Sequence, residues 1–291
     1  MASLATPTPV GTILGIAGKE LRSFLGNPTG YVFLTLFIAL CAGAAFWPRE
    51  FFDRNLADLA TLNKQMPVIL MLFVPAITMT LWADERRAGT DELLLTLPVR
   101  DTEVVLGKFL GAVGVLSIGL AFSLANVIVL KYLGQPDVGL MFSTYLGYWL
   151  MGTLFVAVGM IGSLLTSNVT VAFVLGVLAC AAFALSPAVA VGGGVVGVAV
   201  LAGLSALAWL VAFGSGINAG YAALIGALVG LVLWLGGVVP GFAEFFGAIN
   251  APAHFASFGE GVLRLGDIVF FLGGTAVALY LSGLLLSRRH W

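Results

Sequence analysis

The sequence predicts an all-α, polytopic membrane protein, and three observations carry that prediction. Of its 291 residues, 60% are hydrophobic and only 9% are charged, whereas soluble domains hold about 45–50% apolar and roughly 25% charged residues. Residues 138–243 contain no Asp, Glu, Lys or Arg at all. A bilayer core takes about 20 helical residues to cross, so this stretch holds several spans joined by short uncharged turns. Finally, the apolar runs are continuous rather than alternating. Backbone groups in lipid must bond internally, and continuous runs select helices over a transmembrane barrel. The formal net charge of −1 leaves no basic footprint for nucleic acid. Cys41 and Cys180 lie inside apolar runs and offer neither a disulfide framework nor a metal-ligand spacing.

Eight spans are predicted, at 31–47, 67–83, 106–130, 140–165, 169–185, about 194–213, 221–239 and 268–286. Glycines at 192–194, 214, 216 and 236–237 punctuate the sixth and seventh. A six-span reading, with part of 187–240 re-entrant, is therefore the alternative, and both counts put the termini on one side. Lys19, Arg22, Arg86, Arg87, Arg100, Lys108, Arg288 and Arg289 fall on one side, against Arg49, Arg54, Lys64, Lys131 and Arg264 on the other. The positive-inside bias places both termini in the cytoplasm. Tyr31, Trp47, Trp82, Tyr132 and Trp291 stand near span ends, where an interfacial aromatic belt lies. The residues before the first span read as structure of their own, not as the short basic start of a cleaved signal peptide.

Three segments lie outside the spans. Residues 10–27 predict an amphipathic interfacial helix, with Val10, Ile13, Leu14, Ala17, Leu21, Phe24 and Leu25 on one face and Lys19, Arg22 and Ser23 opposite. Such a helix anchors at the headgroups, offers a docking surface to a cytoplasmic partner, or does both. Residues 48–66 mix Phe51, Phe52, Leu56 and Leu59 with Arg49, Asp53 and Asp58, and read either as an outer interfacial helix or as a solvated connector.

The third segment, 84–108, holds ten of the 27 charged residues. Gly89 can end the helix emerging from the second span. Thr90 can cap a short helix at 91–97, with Asp91 and Glu92 at its positive dipole end and Pro98 as its stop. Asp101 or Thr102 then caps the third span. A stiff, capped helix held between two helical arms suits the transmission of force from a soluble partner. Charged cytoplasmic loops also occur merely to fix topology.

The pattern Glu85-Arg86-Arg87-x-Gly89-Thr90-x-Glu92-Leu93-Leu94-x5-Arg100-x7-Lys108 resembles the loop between the second and third spans of ABC-2 type permeases, the membrane subunits of ATP-driven exporters. Lys19-Glu20-Leu21-Arg22 resembles that family's amphipathic connecting helix. The segment from His254-Phe255 through Phe258 and Gly261-Val262-Leu263 to Asp267-Ile268 is similar to the outer segment before the last span in the gliding-motility subgroup.

The resemblance implies an ABC-2 (type V) exporter-like transmembrane domain over 1–291, with about eight spans: six plus a two-span insertion. It places a coupling loop at 84–103, an inserted helical hairpin at 187–240 and an outer-side segment at 241–267. It further implies a second permease subunit, in a homo- or heterodimer, and a cytoplasmic ABC ATPase that binds ATP and Mg on its own chain. The location it implies is the bacterial inner membrane. Coupling residues carried over are Glu85, Arg86, Arg87, Gly89, Thr90, Glu92, Leu94 and Pro98, with Lys19, Glu20 and Arg22 on the interfacial helix.

The chain lacks a Gly-x4-Gly-Lys-[Ser/Thr] phosphate loop, since neither Gly18-Lys19 nor Gly107-Lys108 is followed by Ser or Thr. No ATPase activity of its own, and no cofactor, is expected. An ion-coupled secondary transporter is one rival, but no predicted span holds a charge well inside its apolar core. A non-transporting scaffold or channel subunit is another. Pro75 is expected to kink the second span. Gly107-x3-Gly111, Gly193-x3-Gly197, Gly216-x3-Gly220 and Gly226-x3-Gly230 permit close helix approach. His254 and Glu260 either touch substrate or serve structure.

Overall fold

The computed structural model describes residues 8–49, 58–90, 99–184, 197–198, 201–203, 205, 209, 216–237 and 250–287. Eleven helices stand among them: α1 Pro9–Gly26, α2 Pro28–Phe46, α3 Ala60–Thr78, α4 Thr80–Ala88, α5 Asp101–Ser123, α6 Ala125–Leu133, α7 Val138–Leu165, α8 Val169–Ala184, α9 Gly216–Leu235, α10 Ala251–Gly259 and α11 Leu265–Ser287. Five stretches are long and apolar enough to cross a membrane: Pro28–Phe46, Ala60–Ala88, Asp101–Leu133, Val138–Leu165 and Leu265–Ser287. α8 and Tyr221–Leu235 are shorter apolar helices. At 16 residues, α8 reaches about 24 Å.

Punctuation at the start of the chain is local. Thr8 caps α1 by accepting the Gly11 N–H at 3.3 Å, with Pro9 at the first helical position. Asn27 ends α1 and caps α2 by accepting the Thr29 N–H at 3.1 Å. Pro28 again stands first, so the chain turns between two helices without a loop.

The bundle is organised around α7, which packs on α3, α4, α5, α8, α10 and α11. Tyr148, Met151, Phe155 and Met160 along it are fully buried. Phe37 of α2 stacks on Phe73 of α3 at 4.1 Å, and Tyr148 stacks on Phe255 of α10 at 5.2 Å. Leu110, Leu228, Leu272 and Val277 point outward, which in a bilayer is contact with lipid rather than lost burial.

Several expectations are corrected. The second span begins seven residues early, at Ala60, so 60–66 is neither connector nor interfacial helix. Leu62 and Met66 there are fully buried, and the polar Asn63 accepts a hydrogen bond from Tyr148. Residues 50–57 lie outside the described residues. At the third span neither Asp101 nor Thr102 is the cap. Arg100 takes the extended capping backbone with no side-chain bond, leaving Asp101 and Glu103 in the first turn, where the helix dipole favours them. On α1, Ile16 and Glu20 belong to the packed face, whereas Val10 and Leu14 are exposed.

The insertion is described only in part. Gly226 and Gly230 of α9 lie against Leu201, Ser205 and Val198 in antiparallel register, so close that a Cβ on Gly226 would stand 2.6 Å from the Leu201 carbonyl oxygen. The Ser205 hydroxyl donates across to the Ala222 carbonyl at 2.8 Å. Among the described residues α9 has no extended packing with the other ten helices. Residues 187–196, 199–200, 204, 206–208, 210–215 and 238–240 of the insertion, and 241–249 of the outer segment, lie outside the described residues.

Candidate functional site

The site grows from one lysine. Lys108 sits in the second turn of α5 within the run Val104–Leu110, and its side chain is 1% exposed. A cation there must find anions and acceptors or lose its charge. It donates hydrogen bonds to Glu20 Oε1 at 3.0 Å and to the Leu81 carbonyl at 2.6 Å, and it forms an ion pair with Glu85 Oε2 at 2.8 Å. The ammonium also lies 4.8 Å from the Trp82 ring centroid. Lys19 completes the group, donating to Glu85 Oε1 at 2.8 Å and standing 3.8 Å from Glu20.

Two cations and two anions therefore bind α1, α4 and α5 together. Burial disfavours the Lys19 ammonium, yet the Glu85 hydrogen bond and the charges of Glu85 and Glu20 outweigh it and hold its pKa above the ordinary lysine value. At 60% exposure Lys19 faces water and closes the group from outside.

Helix packing brings these charges within reach. α1 runs alongside the first half of α5 in the same direction, with Ile16 over Gly107, Glu20 over Gly111 and Leu21 over Gly114. A Cβ on Gly107 or Gly111 would stand 2.7 Å from the Cβ of Ile16 or Glu20. The Gly107-x3-Gly111 spacing thus sets the depth at which Glu20 meets Lys108.

Glu85 is positioned by the end of its own helix. Gly89 adopts φ 66° and terminates α4. The Glu85 carbonyl accepts the Thr90 N–H at 2.9 Å and the Thr90 hydroxyl at 3.2 Å. The Thr90 hydroxyl thus donates back to the helix before it, while the helix it was expected to cap lies outside the described residues. Arg86 and Arg87 stand in the last turn of α4, at the negative end of its dipole.

The start of α4 is held from outside. α3 runs through Pro67 and Pro75 and breaks at Met79. Ser163 of α7 accepts the Trp82 and Ala83 N–H groups at 3.1 and 3.2 Å and donates to the Met79 carbonyl at 2.9 Å. One hydroxyl thus satisfies the backbone freed at the break, one turn beyond Pro75.

Glu85, Gly89, Thr90, Lys19 and Glu20 are thereby brought to one place. Arg22 is exposed on α1 and Arg87 at the end of α4, outside the ion group. Glu92, Leu94 and Pro98, with the short helix expected at 91–97, lie outside the described residues. Lys108, Leu81, Trp82 and Ser163 are additions. Of these, Lys108 stood in the 85–108 pattern and Trp82 among the span-end aromatics, while Leu81 and Ser163 carried no signal in the sequence. A cavity of about 420 Å³ borders the group, with Lys19, Asp84 and Glu85 on its polar side and Phe24, Phe33 and Ile77 on its apolar side.

At the other end of the bundle, His254 of α10 meets Asp267 of α11 at 2.7 Å and stacks on Phe270 at 3.9 Å. The Ser257 hydroxyl donates to the other Asp267 oxygen. Three groups so engaged with each other pin α10 to α11. Among the described residues no three His, Cys, Asp or Glu side chains form a metal-binding group.

Against known proteins, a family model described as ABC-2 family transporter protein matches residues 56–235. No curated protein matches the chain. The matched stretch runs from the start of the second span to the end of α9, and so includes Glu85, Lys108 and Ser163.

Proposed function

This chain belongs to the ABC-2 family of transporter proteins, and from that premise we propose that it is the permease subunit of an ATP-driven exporter. It is a multi-pass membrane protein whose family makes it a transport subunit rather than an enzyme. In the proposed exporter a separate cytoplasmic ATPase binds and hydrolyses ATP with Mg. Two permease subunits face each other, and the 91–98 loop receives the ATPase's motion. We place both termini in the cytoplasm and count eight spans, with 187–240 as an inserted pair. The gliding-motility subgroup rests on the His254–Ile268 pattern. The cargo is lipidic, polysaccharide or otherwise amphipathic.

One observation carries this reading. The Lys19–Glu85–Lys108–Glu20 group lies where the helices flanking 91–98 meet the amphipathic helix. Force applied to that loop enters α4 and α5, which are tied to each other and to α1 by buried charge rather than by slippery apolar contact. Such a unit moves as a body.

The test is co-purification. A tagged chain extracted from its native membrane should retain an ATPase bearing a phosphate loop. Replacing 91–98 with a Gly/Ser linker of equal length should release it while the permease stays in the membrane. Recovery of the intact chain without any ATPase would overturn the proposal.

A further inference from the structure

Where α5 begins and α11 ends, the two antiparallel helices leave an open groove of about 510 Å³. Its floor is apolar, formed by Val105, Leu106, Leu279 and Leu284, and Tyr280 stands at its side, 68% exposed. Gly283 opens the groove further, since even a Cβ there would meet nothing within 4 Å. The mouth is polar. Arg100 is exposed and makes no side-chain hydrogen bond or ion pair among the described residues, while Asp101 beside it is already engaged. The Thr102 and Ser287 hydroxyls flank the mouth, and Arg288-Arg289 follow directly in sequence.

We propose that this groove binds one anionic phospholipid. Its phosphodiester sits on Arg100, and one acyl chain lies between Leu106, Leu279 and Leu284. The placement follows from the two helix ends: both mark the membrane boundary, so the apolar floor faces acyl chains and Arg100 at the mouth faces headgroups. Charge selects the lipid, because a zwitterionic headgroup would bring its own cation against the arginine. A guanidinium further favours phosphate through paired hydrogen bonds. The inference requires only that α5 and α11 cross the membrane, and it stands apart from the ATP-coupling role.

The probe is a vesicle of equal parts palmitoyl-oleoyl phosphatidylglycerol and phosphatidylcholine. Protein reconstituted in it is extracted in mild detergent, and retained lipid is counted by native mass spectrometry. The expected result is one retained phosphatidylglycerol, preferred about fivefold, the fold-change of one basic side chain near an anionic surface. Arg100→Gln should bring the preference close to one, Arg100→Lys should keep most of it, and Gly283→Trp should empty the groove of both lipids. Arg22→Gln should change nothing, and millimolar inorganic phosphate should not displace the lipid. Equal retention of the two lipids by the wild type, an undiminished preference in Arg100→Gln, or displacement by phosphate would overturn the proposal.

Discussion

Lys108 concentrates the residue-scale physics, because a buried ammonium with three partners is held by all of them at once. Lys108→Met leaves Glu20 and Glu85 facing each other without their shared cation, and should cost about 3–5 kcal/mol of stability. Thermal unfolding in detergent reads this, and Lys108→Met combined with Glu20→Gln and Glu85→Gln should recover most of the loss. A triple variant no better than the single one would show that packing against Trp82, not charge, is what matters. Lys19→Ala should cost less than about 1 kcal/mol, since an exposed partner is screened by water. On the expected 91–97 helix, Glu92→Lys sets a cation at the positive dipole end, and Thr90→Pro removes the N–H that bonds the Glu85 carbonyl. Each should uncouple ATP hydrolysis from transport while leaving membrane insertion intact, read by transport assay beside immunoblot, and normal transport by both would count against coupling there. The sequence pattern singled out Glu85, Gly89 and Thr90 but could not pair Lys108 with Glu20, its partner 88 positions away. That pairing depends on α1 lying over Gly107 and Gly111, which hydrophobic periodicity alone does not place.

At the scale of elements, two contacts set how α1 and α4 are held. Gly111→Val forces its methyl groups into the Cβ of Glu20 and should lift α1 from α5 at a cost of about 1–3 kcal/mol. Proteolysis at Arg22 should then run faster than in the wild type, and an unchanged rate would mean that α1 is held elsewhere. Ser163→Ala strips the break at Met79 of its outside cap and should cost about 1–2 kcal/mol, the size of a helix-cap loss. Hydrogen exchange at the Trp82 and Ala83 amides locates that effect. The spans were legible because lipid admits little besides long apolar helices. Their faces were not, since buried Leu116 and outward Leu110 are the same residue type on one helix, and lipid rewards both equally. The early start of α3 was hidden for the opposite reason. Asn63 and Lys64 look like connector residues, yet Asn63 is carried into the bundle by its bond to Tyr148.

For the whole molecule, α7 is the hub, and the charged group ties α1 to α4 and α5, the helices that flank the 91–98 loop. The family resemblance rested on the spacing of charged residues and Gly89 from Glu85 to Lys108, and the family match covers 56–235. The span count did not follow, because the glycine-punctuated 187–240 region has no charges to mark its turns. Reporter fusions after residues 136, 215 and 240 read it directly. Eight spans require the first and last on one side of the membrane from each other by an even number of crossings, with 215 on the side of 90. In the proposed mechanism this permease works a separate ATPase through the Lys108-centred group. The deciding readout is ATP hydrolysis by the ATPase that co-purifies with the chain, in nanodiscs with wild-type chain, with the Lys108→Met, Glu20→Gln, Glu85→Gln triple variant and without permease. The wild type should stimulate hydrolysis, and the folded triple variant should bind the ATPase without stimulating it. Stimulation by the triple variant equal to that of the wild type would contradict the mechanism.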